Sequence, residues 1–285
     1  MTVIVADTTC SLPRDLLIRR GIPFVPQVVM FGEESYHDDA EFKTSIFLQK
    51  LKAASSLPKT AAPEPTLYYP IFQSALDKKE AVIVVAPSGK LSGTVRSAQS
   101  AAQDFPGLDV RIIDTLTVSC NLGAMVLEAH ELALAGTHAD AIEARIREMI
   151  PRGRLYFVPD TLEYLAKGGR IGGARALLGE LIQIKPVLTI RDGQAEAYEQ
   201  QRTRRRSIAR LEEIAQTQCP KSPESHLAVI QVAAEDEAAG LAARLKAAMN
   251  LSDVPVYELP PAIVVHGGPG AIGLGFFVAG PEGAA

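Results

Sequence analysis

The chain has 285 residues, 47% of them hydrophobic and 22% charged, with no Trp and a formal net charge of −4. That length carries one large or two medium cores, and the acidic balance argues against a protein held on nucleic acid mainly through phosphates. Cys10, Cys120 and Cys219 are odd in number and far apart, which excludes a disulfide framework and the common zinc spacings and fits a reducing cytosol. Met1-Thr2-Val3-Ile4-Val5-Ala6-Asp7 lacks a basic n-region and a long apolar h-region, so it reads as a first strand and not as a signal peptide. No apolar run approaches the roughly 18 residues of a membrane span, and a soluble cytoplasmic protein without stable membrane insertion is expected.

In chain order, residues 3–6 predict a strand, and Ser11 with Pro13 opens a helix through Arg20. Residues 24–31, interrupted by Pro26, predict one edge or bent strand. Helices are expected over 45–54 and 65–79. The run 81–86 is apolar at every position, as a central parallel strand requires. A helix over 92–105, a strand over 110–113 and a helix over 121–135 follow, and the alternation predicts a parallel sheet covered on both faces. Past about residue 150 the pattern changes to a strand over 155–158, helices over 161–167 and 174–183, and a hairpin of 187–190 with 195–201 around Arg191-Asp192-Gly193. Strands over 227–232, 254–258 and 262–265 enclose a helix over 237–249. The expected fold is therefore α/β with two domains, an N-terminal Rossmann-like parallel-sheet domain over 1–150 and a C-terminal α+β domain over 151–285.

Two loops carry the chemistry. Ala262-Ile263-Val264-Val265 leads into His266-Gly267-Gly268-Pro269-Gly270, which places an imidazole at an expected strand end beside permissive backbone. Ser88-Gly89-Lys90-Leu91-Ser92-Gly93-Thr94 follows the strand over 81–86 and offers hydroxyls at a helix start, suited to a carboxylate or phosphate. Ser92 as a plain N-cap is about as good a reading of that residue alone. Other matches fail. Gly268-Pro269-Gly270-Ala271-Ile272-Gly273 fits G-x-G-x-x-G, but too little chain follows for a dinucleotide fold. Gly89-Lys90 lacks the remainder of a P-loop. His37-Asp38-Asp39 with Glu41 is more often a solvated loop capping the next helix than a metal cluster, and Arg202-Thr203-Arg204-Arg205-Arg206 is usually a solvated helix start. Lys167-Gly168-Gly169-Arg170-Ile171-Gly172-Gly173 displays Arg170 between glycine pairs, more than a C-cap turn needs.

These segments, with Asp7-Thr8-Thr9, Pro58-Lys59-Thr60 and Ile184-Lys185-Pro186, run nearly end to end and together resemble the DegV family of bacterial fatty-acid-binding proteins. The resemblance implies a non-enzymatic carrier, free of metal and cofactor, with a long-chain fatty acid such as palmitate between or beside the domains. It implies that Thr60 and Ser92 hold the carboxylate and that His266 lies beside it and assists phosphoryl transfer. It places Gly93, Thr94 and Gly268 in the supporting loops, and gives Arg170 and Arg202 the docking of a separate ATP-dependent fatty-acid kinase for phospholipid metabolism. The chain departs from the family at Thr8, where Ser is usual, and at Ala61-Ala62, where Ser-Gln is frequent. Gly267 stands where Thr is common, so a hydroxyl beside the imidazole is absent. The alternative from the residues themselves is a lipid ester or acyl hydrolase using Ser92 and His266, with Asp7 or Asp114 as the orienting acid.

Overall fold

The computed structural model describes residues 1–178 and 184–280. Strands β1 (Thr2–Asp7), β2 (Phe24–Val25), β6 (Ala81–Ala86) and β7 (Val110–Asp114) form a parallel sheet in the order β2-β1-β6-β7. Both faces are covered, which is why β6 is apolar throughout and buried from Val82 to Ala86. Ile4, Ala6, Ile83 and Val85 face α1 (Arg14–Arg20), α5 (Cys120–Leu134) and α6 (Ala139–Met149). Val5, Val82 and Val84 face α3 (Tyr69–Lys78) and α4 (Thr94–Gln103), where Phe72 and Ala98 meet them. This is the period of two expected of a strand.

A second, mixed sheet takes the order β10 (Gln194–Gln201), β9 (Lys185–Arg191), β8 (Gly153–Val158), β13 (Ile272–Phe277), β11 (Ala228–Gln231), β12 (Val256–Glu258). Its pairs are antiparallel except β11 with β12. One face is covered by α8 (Arg204–Gln218) and α9 (Glu235–Met249). The other meets a small antiparallel sheet of β4 (Glu34–His37), β3 (Val28–Phe31) and β5 (Lys59–Ala61), with α2 (Thr44–Ala53) and α10 (Pro261–Gly267) beside it. Val29 and Phe47 share one apolar cluster with Leu155, Ile230 and Val264, so residues from the two halves of the sequence are packed together there. Helix α7 (Glu163–Lys167) contacts α10.

Several expectations need correction. Residues 262–265 are helical, not a strand, because Pro260 and Pro261 open α10 and the apolar run buries one side of a short helix. His266 therefore sits in the last turn of that helix and not at a strand end. Residues 24–31 form two strands in different sheets, separated at Pro26-Gln27. Helix α4 starts at Thr94 with Gly93 as its N-cap, so Ser92 is not the cap. Of the helix expected over 174–183, the chain forms a 3-10 turn over Gly172–Leu177, and residues 179–183 lie outside the described segment. Strand β13 went unforeseen, and its glycines explain the rejected fingerprint: a Cβ on Gly273 would sit 2.5 Å from the Tyr156 carbonyl. The close strand packing, not a phosphate, requires Gly there.

Candidate functional site

Thr60 lies on β5, Ser92 in the turn between β6 and α4, and His266 in the last turn of α10. The fold brings all three to one cavity, whose empty space with its open mouth included is about 980 Å³. Its remaining wall is mainly apolar, with Leu155, Phe157, Leu165, Ile190 and Ile230 from the second sheet and its connections. The polar groups fall together. Gly93 lets the Ser92 turn close on β5, since a Cβ there would stand 3.1 Å from that of Ala62. Arg170 ties the next segment in, donating from Nε to the Leu91 carbonyl at 3.1 Å and from a terminal nitrogen to that of Gly168 at 2.8 Å.

His266 Nε2 and Thr60 Oγ1 are 2.9 Å apart. Burial, then the charge of Arg170, pushes the imidazole down to about 4, so it is neutral near pH 7. Among the described residues the buried Nδ1 has no hydrogen-bond partner, and Gly168 packs so closely on it that no larger residue fits. Gly268, at φ +75, turns the chain out of α10 where a Cβ would strike the Tyr164 ring.

Ser92 Oγ accepts from the Thr94 backbone N–H at 3.3 Å and from the Gln27 amide at 3.2 Å, and lies 2.9 Å from Thr94 Oγ1. Thr94 and Gln27 in turn donate to Asp7 Oδ2 at 2.8 and 2.6 Å. The amide of Gln27 escaped the sequence reading because Pro26-Gln27 looks like a break in a strand. That break turns its side chain to the β1 end. Asp38, read from the sequence as part of a solvated loop, is instead buried, pairs with Arg14 at 2.9 Å, and accepts from the Ala262 N–H at 3.1 Å, in the first turn of the helix that carries His266. Burial drives its carboxyl up to about 6, against the pull of Arg14. Its neighbour Asp39 does cap the following segment, accepting from Glu41 and Phe42 N–H groups.

The hydrolase constellation does not assemble. Asp7 bonds Thr9, Gln27 and Thr94, Asp114 bonds the Gly89 and Leu116 N–H groups, and among the described residues no carboxylate bonds the imidazole. Arg170 lines the cavity, whereas Arg202 is exposed on the turn between β10 and α8. Arg204 is committed to Glu237 through the Nε–Nη2 edge of its guanidinium. Among the described residues no His, Cys, Asp and Glu group forms a metal cluster, and no helix is long and apolar enough to cross a membrane.

A DegV domain-containing protein of Deinococcus radiodurans is 35% identical over 272 residues, covering 95% of this chain and 96% of that one. A DegV family protein from Thermus thermophilus, described by its fatty acid binding, superposes with a TM-score of 0.85 at 33% identity, over 98% of this chain and 99% of the other. DegV of Bacillus subtilis, a fatty acid binding protein, gives 0.85 at 28% identity with the same coverage. The family model described as "Uncharacterised protein, DegV family" matches residues 1–279. The chain belongs to the DegV family.

Proposed function

We propose that this protein is a cytoplasmic carrier that binds a long-chain fatty acid, such as palmitate, in the cavity and presents its carboxylate to a separate ATP-dependent kinase. The observation that carries the reading is a mainly apolar cavity whose polar lining includes the Thr60 and Ser92 hydroxyls, a neutral imidazole and the Arg170 guanidinium. Burying about fourteen methylenes at about 0.8 kcal/mol each supplies roughly 11 kcal/mol before entropic losses. The carboxylate then needs donors, and the hydroxyls supply them, with the Arg170 guanidinium on the same cavity wall. Family members described as fatty-acid-binding support the ligand class. Arg170 beside the polar cluster and exposed Arg202 serve the kinase by docking it or by screening charge during transfer, and His266 orients the carboxylate.

Mass spectrometry of lipid extracted from purified protein, followed by calorimetric titration with palmitate, tests the reading. An intact fatty acid near unit occupancy is expected. Ser92→Ala with Thr60→Val should weaken palmitate by about 1–3 kcal/mol in the folded protein. Ester turnover by the protein alone, lost in Ser92→Ala, would replace the carrier with a hydrolase.

A further inference from the structure

Behind Ser92 lies a fully buried carboxylate that the binding of a head group has not yet used. Asp7 ends β1 with no exposure, and its hydrogen-bond partners among the described residues are all neutral. Thr9 donates its N–H and hydroxyl to Oδ1 at 2.7 and 2.6 Å, while Gln27 and Thr94 donate to Oδ2. From Oδ2 the row continues through Thr94 Oγ1 at 2.8 Å and Ser92 Oγ at 2.9 Å, and Ser92 is part of the cavity wall.

A hydroxyl has one proton, so the direction of each bond in such a row dictates the next. With Asp7 ionised, Thr94 donates to Oδ2, Ser92 donates to Thr94, and Ser92 turns a lone pair toward the cavity. With Asp7 protonated both bonds reverse, and Ser92 presents its O–H. The Gln27 amide nitrogen lies 2.6, 2.8 and 3.2 Å from Asp7 Oδ2, Thr94 Oγ1 and Ser92 Oγ, and its two N–H groups can serve the nearer two in either direction, which leaves Ser92 a lone pair for the cavity. The first arrangement suits a neutral acid and the second a carboxylate.

We propose that Asp7 and the head group of a bound fatty acid share a single proton through Thr94 and Ser92, so the complex buries one negative charge and not two. The proposal rests on the fatty-acid reading of the cavity. Two linked carboxylates away from water do not both ionise, because Asp7 has only neutral hydrogen-bond partners among the described residues and a buried charge without a cation is strongly penalised. An acid that enters neutral gives its proton to Ser92, Ser92 gives its own to Thr94, and Thr94 gives its own to Asp7. Three O–H bonds break, three form, and a reactive carboxylate is left without any proton passing to water. A carboxylate that enters beside ionised Asp7 takes one proton from solvent.

The groups around Asp7 leave this role to it. Cys10 and Tyr68 are buried and pushed upward by burial, so both are neutral, and among the described residues the Tyr68 hydroxyl has no partner. Asp38 is held by Arg14. His266 and Arg170 lie on the cavity side, the imidazole on Thr60 and the guanidinium on backbone carbonyls. Burial raises the Asp7 carboxyl, against the lowering by its hydrogen-bond donors.

The test uses the full-length protein loaded with palmitate carrying carbon-13 at its carboxyl, studied by infrared and carbon NMR spectroscopy at neutral pH. One protonated carboxyl from the pair is expected in the wild type, lost in Asp7→Asn. Calorimetry in buffers of different ionisation enthalpy should show proton uptake per palmitate rising from zero toward one with pH in the wild type, and staying near zero in Asp7→Asn. Should that variant not fold, wild type with labelled aspartate carries the same test, since the Asp7 and palmitate signals must together account for one proton. Bound palmitate with both carboxylates ionised overturns the shared proton alone. Uptake that persists in Asp7→Asn and vanishes in His266→Gln assigns the proton to the imidazole and also overturns it. Wild type that binds no palmitate overturns the fatty-acid reading itself, and the proposal with it.

Discussion

His266 shows how one side chain is tuned by its surroundings. Its imidazole is pushed down to about 4 by burial and by Arg170, so between that pH and the ordinary value near 6.5 the unfolded chain binds a proton that the folded chain refuses. Stability attributable to this residue is present above about pH 6.5 and is lost as pH falls toward 4. Asp38 works in the opposite sense, because its raised carboxyl takes up a proton on folding below about 6. The two overlap, so the wild-type acid limb alone does not isolate either. Comparing urea unfolding of wild type and His266→Gln at two pH values does. We expect the wild type to lose about 2–3 kcal/mol more than the variant between pH 7 and pH 4.5. Equal losses would show that the imidazole titrates freely in the fold.

At the scale of elements, α10 decides the site. Its first turn is held by Asp38 through the Ala262 N–H, and its last turn presents His266 to Thr60. Asp38→Ala removes that acceptor and leaves Arg14, only 14% exposed, without its carboxylate. Destabilisation of roughly 3 kcal/mol is expected from breaking so buried a pair, together with weaker palmitate binding in calorimetry as the helix loosens. A variant with normal stability and affinity would show that apolar packing alone holds α10. The strands of the parallel sheet were legible in the sequence because burial on both faces leaves a continuous apolar run, as in β6. The same rule misled at 262–265, where four apolar residues fit a strand or one side of a short helix equally well. The two prolines just before the run were the available signal for a helix start. Thr60, Ser92 and His266 stood out as residues, but their meeting depends on β5 and α10 packing together across more than two hundred positions of sequence. Gln27 left no local pattern, and the acidic run around Asp38 looked like a solvated loop, because the partners of both are distant in the chain.

For the whole molecule, α5 joins the two larger sheets. Leu122, Met125, Val126 and Ala129 lie in the core beneath β1, while Cys120 and Asn121 at its start press on β13, and Asn121 donates to the Arg154 carbonyl at 3.0 Å. Gly275 makes that approach possible, since a Cβ there would fall well inside contact distance of the Asn121 side chain and 2.6 Å from Cys120 Sγ. Val29 and Phe47 add a second junction by packing with Ile230 and Val264. With two such junctions, and with a cavity walled by residues from both halves of the chain, unfolding should be a single transition seen alike by fluorescence of the tyrosines and by far-ultraviolet dichroism. Palmitate should then stabilise the entire molecule by mass action, about 2.7 kcal/mol when free ligand is a hundredfold above Kd. Gly275→Ala should lower stability by about 1–3 kcal/mol through overpacking, and should also separate the two probes as the sheets lose their close contact. A Gly275→Ala protein that still unfolds in one transition, with palmitate raising it as in the wild type, would place the coupling in the Val29 and Phe47 junction and not in α5.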